Sequence, residues 1–89
     1  MWTEMEPDLS SPKALIYISH KYKVGEEYVI LIHQSKDGSP LEYRNKKSKY
    51  IGIVKAKSGL FRKHIFSENL ESIKLLCLIV ASNFGWKIT

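Results

Sequence analysis

From Ala14 to Tyr22 the chain runs through β-branched, apolar and aromatic residues in partial alternation, the pattern of a first strand. After a turn at Val24-Gly25-Glu26, Tyr28 to His33 is an almost unbroken apolar run, YVILI, as expected of a central strand covered on both faces. Ser35 to Pro40 carries a turn signal in Asp37-Gly38, residue types that tolerate positive φ. Leu41 to Arg44 predicts a short edge strand, followed by the polar stretch Asn45-Lys46-Lys47-Ser48. Lys49 to Lys57 alternates around Tyr50, Gly52, Val54 and Ala56, and beyond Ser58-Gly59 a further strand runs from Leu60 to Phe66. Strands joined by such short loops form an antiparallel meander. Ser67 stands where a helix N-cap belongs, with Glu68 and Glu71 favouring the positive end of the dipole. The helix is predicted over 68–83, with Gly85 near its stop and 86–89 returning as a short strand. The expected fold is α+β: an antiparallel sheet of four to five strands with one long C-terminal helix packed on it. Residues 13–89 make one small domain, and residues 1–12, with two prolines and no periodicity, make a flexible acidic arm.

On a helical wheel, Leu70, Ile73, Cys77, Val80, Ala81 and Phe84 share the stripe that faces the sheet. Leu75, Leu78 and Ile79 fall on the other side, beside Glu71 and Ser82. The central strand shows the same excess, since Tyr28, Ile30 and Ile32 oppose Val29 and Leu31 and one helix covers one face only. The surplus is closed either by the arm or the 41–44 strand wrapping over it, or by a second molecule, because large exposed apolar patches are uncommon on monomers.

Composition sharpens this picture through charge. Fourteen Lys and Arg against nine Asp and Glu give +5 over 89 residues, but Glu4, Glu6 and Asp8 leave the arm at −3, and the rest of the chain carries +8. Residues 44–63 hold Arg44, Lys46, Lys47, Lys49, Lys55, Lys57, Arg62 and Lys63 without one acid. Such a field suits an acidic partner, and equally serves to keep a small domain in solution. Lys49, Lys55 and Lys57 share one strand parity with Ile51 and Ile53, Arg62 shares one with His64, and Tyr43, Tyr50 and Phe61 interleave rings with these bases. A sheet face of that kind can stack bases and neutralise phosphates. The acidic arm is then a candidate mimic that covers the basic face.

Catalytic and metal chemistry finds little footing. His20 and His33 fall on successive strands about four rungs apart, roughly 13 Å, too far to share a metal. Cys77, the single cysteine, sits among apolar neighbours that offer neither a base nor solvent. No phosphate-cradling glycine motif is present. The expectation is therefore no catalytic residue, no metal, no cofactor and no small-molecule substrate. The longest apolar run, Leu75 to Ala81, is seven residues, far below the ~20 that span a bilayer. With one cysteine and no basic-then-apolar leader, a cytoplasmic protein without membrane contact is expected.

Four pieces of the chain occur together: YVILIH at Tyr28–His33, KDGSP at Lys36–Pro40, YIGIV at Tyr50–Val54, and FSENLES at Phe66–Ser72 running into IKLLCLI at Ile73–Ile79. In that order, the segment from Glu27 to Phe84 resembles a family of small bacterial proteins of unknown function, built as strand, Asp-Gly turn, strand, and a helix after an aromatic residue. The family's usual glycine and aspartate at the helix start are Ser67 and Asn69 here. The resemblance implies a sheet with one helix and a bacterial or phage origin, and it transfers no activity.

These observations point to a protein that works by holding another macromolecule. The first expectation is a protein-binding regulator of inhibitor or immunity type, or a homodimer, with Leu75, Leu78 and Ile79 as an apolar centre and the basic stretch steering an acidic partner. The alternative is nucleic-acid binding through residues 44–63.

Overall fold

The computed structural model describes residues 2–5, 13–23, 26–35, 39–56, 58–59 and 62–83. Seven strands and one helix lie among them: β1 (Thr3–Glu4), β2 (Lys13–Lys23), β3 (Glu26–Ser35), β4 (Leu41–Tyr43), β5 (Lys46–Ser48), β6 (Tyr50–Ala56), β7 (Arg62–Ser67) and α1 (Leu70–Asn83). Five of the strands form one antiparallel sheet in the order β1-β2-β3-β6-β7, and β4-β5 make a separate hairpin. The architecture is the α+β fold expected, with α1 lying mainly over β6 and β7.

Alternation along the strands sorts the core into two layers. On the helix side, Tyr28, Ile30 and Ile32 of β3 sit across from Ala56, Val54 and Gly52 of β6, and Ile73, Cys77 and Ala81 of α1 close over them. A register shift between Leu15 and Tyr17 lets Ile16 and Tyr17 both pack on this cluster, as a bulge does when it places neighbours on one side. On the other side, Ile51 and Ile53 are covered by Leu41, with Leu31, Tyr43 and Phe66 around them.

The β4-β5 hairpin thus closes much of the second sheet face from within the chain. It folds back because Arg44 and Asn45 both take positive φ, +48° and +67°, which makes a two-residue turn between the paired Tyr43 and Lys46. Ser48, buried at its far end, donates its hydroxyl to the Ser67 carbonyl at 2.7 Å, and the Lys49 amide donates to Glu68 at 3.3 Å. These bonds pin the hairpin to the junction of β7 and α1.

Two local expectations are corrected. The helix begins at Leu70, and its N-cap is Asn69 rather than Ser67. The Asn69 side-chain oxygen accepts from the Ser72 amide at 3.0 Å, and its carbonyl accepts from the Ile73 amide at 3.0 Å. Ser67 instead accepts the Asn69 amide at 3.1 Å in the turn that leads in. Part of the arm is also structured: Thr3 and Glu4 pair with Ile18 and Tyr17, and the Met5 amide donates to the Ile16 carbonyl at 2.8 Å. Phe84, Gly85 and the strand expected at 86–89 lie outside the described residues, as do the Asp37-Gly38 turn and Phe61.

Candidate functional site

Where the hairpin passes the edge strand β7, a cleft of about 300 Å³ opens, lined by Tyr43, Arg44, Lys46, Arg62, Lys63, His64 and Phe66. Its position follows from register. Arg62, His64 and Phe66 alternate onto the face away from the helix, opposite Lys55, Ile53 and Ile51 of β6, and the hairpin lies on that same face. Tyr43 turns its ring inward and stacks on His64, with ring centres 4.1 Å apart and planes 15° apart. Phe66 follows at 6.5 Å from Tyr43 and 27°. The Arg44 guanidinium stands 5.3 Å over the Tyr43 ring, and the Lys46 ammonium 5.3 Å over the Phe66 ring.

Two guanidinium and two ammonium groups therefore meet three aromatic rings in one open recess, and among the described residues no carboxylate lines it. Chemically such an arrangement suits a flat, anionic ligand: rings can supply faces for stacking, and guanidinium and ammonium groups can supply charge-assisted hydrogen bonds.

The structure divides the basic residues singled out in the sequence. Arg44, Lys46 and Arg62 come together in the cleft, and Lys63 lines it from the β7 edge, since its register opposite Val54 places it on the helix side of the strand. Lys47 stands opposite Glu42 in the hairpin register, Lys49 stands 5.7 Å over the Tyr50 ring, and Lys55 stands opposite Arg62 on the same sheet face. Lys57 lies outside the described residues. Tyr50, expected among the bases, instead faces α1 in the buried core, because it shares the parity of Gly52 and Val54. Phe66 takes the place in the basic array, and its parity with Arg62 and His64 was the available signal. Glu4 of the arm is held at β1, the sheet edge opposite β7 and four strand spacings or about 19 Å from it. It does not reach the cleft, and Glu6 and Asp8 lie outside the described residues.

The helix patch is rearranged as well. Leu75 and Ile79 are 59% and 46% exposed, but Leu78 is half-buried against the core, and Leu76, 40% exposed, completes the outer face in its stead. Leu76 and Leu78 flank the buried Ile73–Cys77–Ala81 line on opposite sides, each about 100° around the helix from it. Leu78 lies on the flank of Lys74, whose ammonium reaches across the sheet to 3.9 Å from the Tyr17 ring of β2. Leu76 points the other way, past the β7 edge, where no described strand continues the sheet. Leu78→Glu should therefore lower stability by about 2 kcal/mol, whereas Leu75→Glu should stay within about 0.5 kcal/mol of wild type. Denaturant unfolding of the two variants measures the difference, and equal costs would contradict this placement.

Cys77 is fully buried in the core, and burial pushes its thiol up to about 12, so it stays protonated and unreactive at neutral pH. No helix of the described residues is long and apolar enough to cross a membrane. No family model, no curated protein and no solved structure matches the chain.

Proposed function

We propose that the chain binds nucleic acid, with the cleft between the β4-β5 hairpin and β7 as its contact surface. The observation that carries this reading is the convergence of Arg44, Lys46, Arg62 and Lys63 on Tyr43, His64 and Phe66, with no acid among the described residues of the lining. Lys47, Lys49 and Lys55 extend the same charge along the flanking elements. Such a surface attracts phosphates and offers ring faces to bases. No enzymatic step is assigned to it.

Fluorescence anisotropy of labelled oligonucleotides, titrated across a salt series, tests the proposal. Four phosphate contacts should give a slope of log affinity against log salt of about −3 to −4. Absence of binding even at low salt, or a slope near zero, would overturn it.

The outer face of α1 supports a second reading, contact with another protein as a regulator of inhibitor or immunity type, or with a second copy of the chain. Its basis is the exposure of Leu75, Leu76 and Ile79 together on one helix. Sedimentation of the wild type and of Leu75→Glu separates the self-associating version. A monomer at every concentration removes it, and an oligomer dispersed by Leu75→Glu supports it.

A further inference from the structure

We infer that the cleft takes one unpaired nucleotide of a single strand, its base against the Phe66 and Tyr43 rings and its flanking phosphates on Arg44, Lys46, Arg62 and Lys63. The inference rests on the nucleic-acid reading above and narrows it from any nucleic acid to strands whose bases are free. Three observations carry it.

The first is the shape of the site. The site is a shallow, open depression of about 300 Å³, which offers ring faces to a single base at the surface without enclosing it. A duplex presents its phosphates on a convex surface and keeps its base faces stacked inside, so it would meet the mouth of the cleft and leave the rings unused. A single strand can turn one base into the recess while the backbone runs past the rim.

The second is the pairing of the Phe66 and Tyr43 rings each with a cation of its own. Lys46 covers Phe66 and Arg44 covers Tyr43, both at 5.3 Å, in contacts that an exposed site holds only weakly. An entering base gains more by stacking on Phe66 than the ammonium loses by leaving. The displaced ammonium remains tethered beside the base, where the phosphate follows. Ring and cation thus exchange partners without either going unpaired.

The third is that no described element is built to enter a duplex groove. The exposed side of α1 carries Leu75, Leu76, Ile79 and Glu71, its last turn has no base, and its Lys74 is committed to Tyr17 and Glu71. The hairpin lies flat, with Leu41 buried and Tyr43 turned onto the sheet, so its inner face is not free to lie in a groove.

The test compares a labelled strand of about twelve nucleotides, made as DNA and as RNA, with the same sequence closed into a hairpin duplex. At physiological salt at least one strand should bind about tenfold or more tightly than the duplex. Phe66→Leu keeps an apolar side chain against the Leu41 cluster but removes the ring, and should weaken strand binding by about 5- to 150-fold with the salt slope unchanged. Tyr43→Leu is the second variant, and circular dichroism of both confirms that each is folded. Equal or tighter duplex binding, or strand affinity unmoved in both folded variants, overturns the inference and leaves the nucleic-acid reading standing. Failure of strand and duplex alike at low salt overturns both. A polyglutamate peptide that displaces the strand as well as unlabelled strand does would also overturn them, in favour of an acidic protein.

Discussion

Gly52→Ala is expected to destabilise the fold by about 1–3 kcal/mol, and Cys77→Ala in the same chain to recover most of that loss. Gly52 is where α1 comes closest to β6. A Cβ on it would stand 2.5 Å from the Cys77 sulfur, and 3.3 Å and 3.4 Å from Ile73 Cγ1 and Cδ1. The first distance is shorter than any ordinary contact. The sulfur is fully buried at the tip of a short side chain, in the same packed layer as Ile73 and Ala81, so any shift it makes is into other core side chains. An alanine in the strand does gain about 0.5–1 kcal/mol in backbone entropy over glycine, but overpacking outweighs it. Removing the sulfur opens the space the new methyl needs, while Cys77→Ala alone leaves a small void. Chemical denaturation of both single variants and the double variant closes the cycle. The coupling should be favourable by about 1–2 kcal/mol. A coupling of zero would mean that α1 lifts from the sheet as a body instead of clashing at one atom.

That contact also shows why parts of the fold were legible in the sequence and others were not. The run YVILI at Tyr28 to Ile32 announces a strand covered on both faces, and β3 is the middle strand of the five. The spacing of Ile73, Cys77 and Ala81 announces the buried line of α1. The hairpin pairing of β2 with β3 also follows the expected register, with His20 opposite Val29. These features are dictated by alternation and helical period, which belong to single elements. What covers the second sheet face was legible only as one alternative among others, the 41–44 strand beside the arm or a second molecule, because it depends on contacts between elements. β4 is the short strand expected from Leu41, but β5 lies in the stretch 45–48 that reads as polar loop, and the turn between them is Arg44-Asn45 instead of the Asn-Gly or Asp-Gly that signals a tight hairpin. The shorter the strands, the more their existence depends on what they lie against, here Ile51, Ile53 and Phe66.

The candidate site was legible in charge and not in place. Eight bases without an acid between Arg44 and Lys63 mark a basic surface, yet sequence distance does not say which of them meet. Arg44 and Arg62 are brought together only because the hairpin folds over the sheet onto the β7 edge. The same step decides the fate of the rings: Tyr43 enters the cleft because its hairpin is inverted over the sheet, and Tyr50 leaves it for the core. On α1, the wheel identifies the buried line but not how far the sheet extends on either side of it, and that extent alone separates half-buried Leu78 from exposed Leu76.

Arg44→Asn should leave the fold as stable as wild type or raise it by up to about 1 kcal/mol, while weakening oligonucleotide binding by about tenfold. The two effects have separate origins. Arg44 holds the first turn position at φ +48°, in the left-handed region where a side chain with a Cβ is strained and where asparagine is tolerated far better. A long cation kept in that conformation at the rim of a basic cleft is costly to the turn, and its guanidinium is spent on the Tyr43 ring and the cleft mouth instead of on folding. Loss of one charge-assisted phosphate bond costs about 1.5 kcal/mol or more, which is the tenfold, and should flatten the salt slope by about 0.7 for a single strand. Arg62 reaches the same cleft from β7 on a backbone in ordinary extended conformation, so Arg62→Gln should weaken binding similarly with no gain in stability. Together the two changes should remove about 10²-fold of affinity, provided the arginines hold different phosphates. Thermal unfolding and anisotropy on the same preparations read both quantities. A variant Arg44→Asn that binds as wild type does would place the phosphate path elsewhere on the basic surface. One that unfolds more easily would show that the guanidinium over Tyr43 stabilises the hairpin more than the turn strains it.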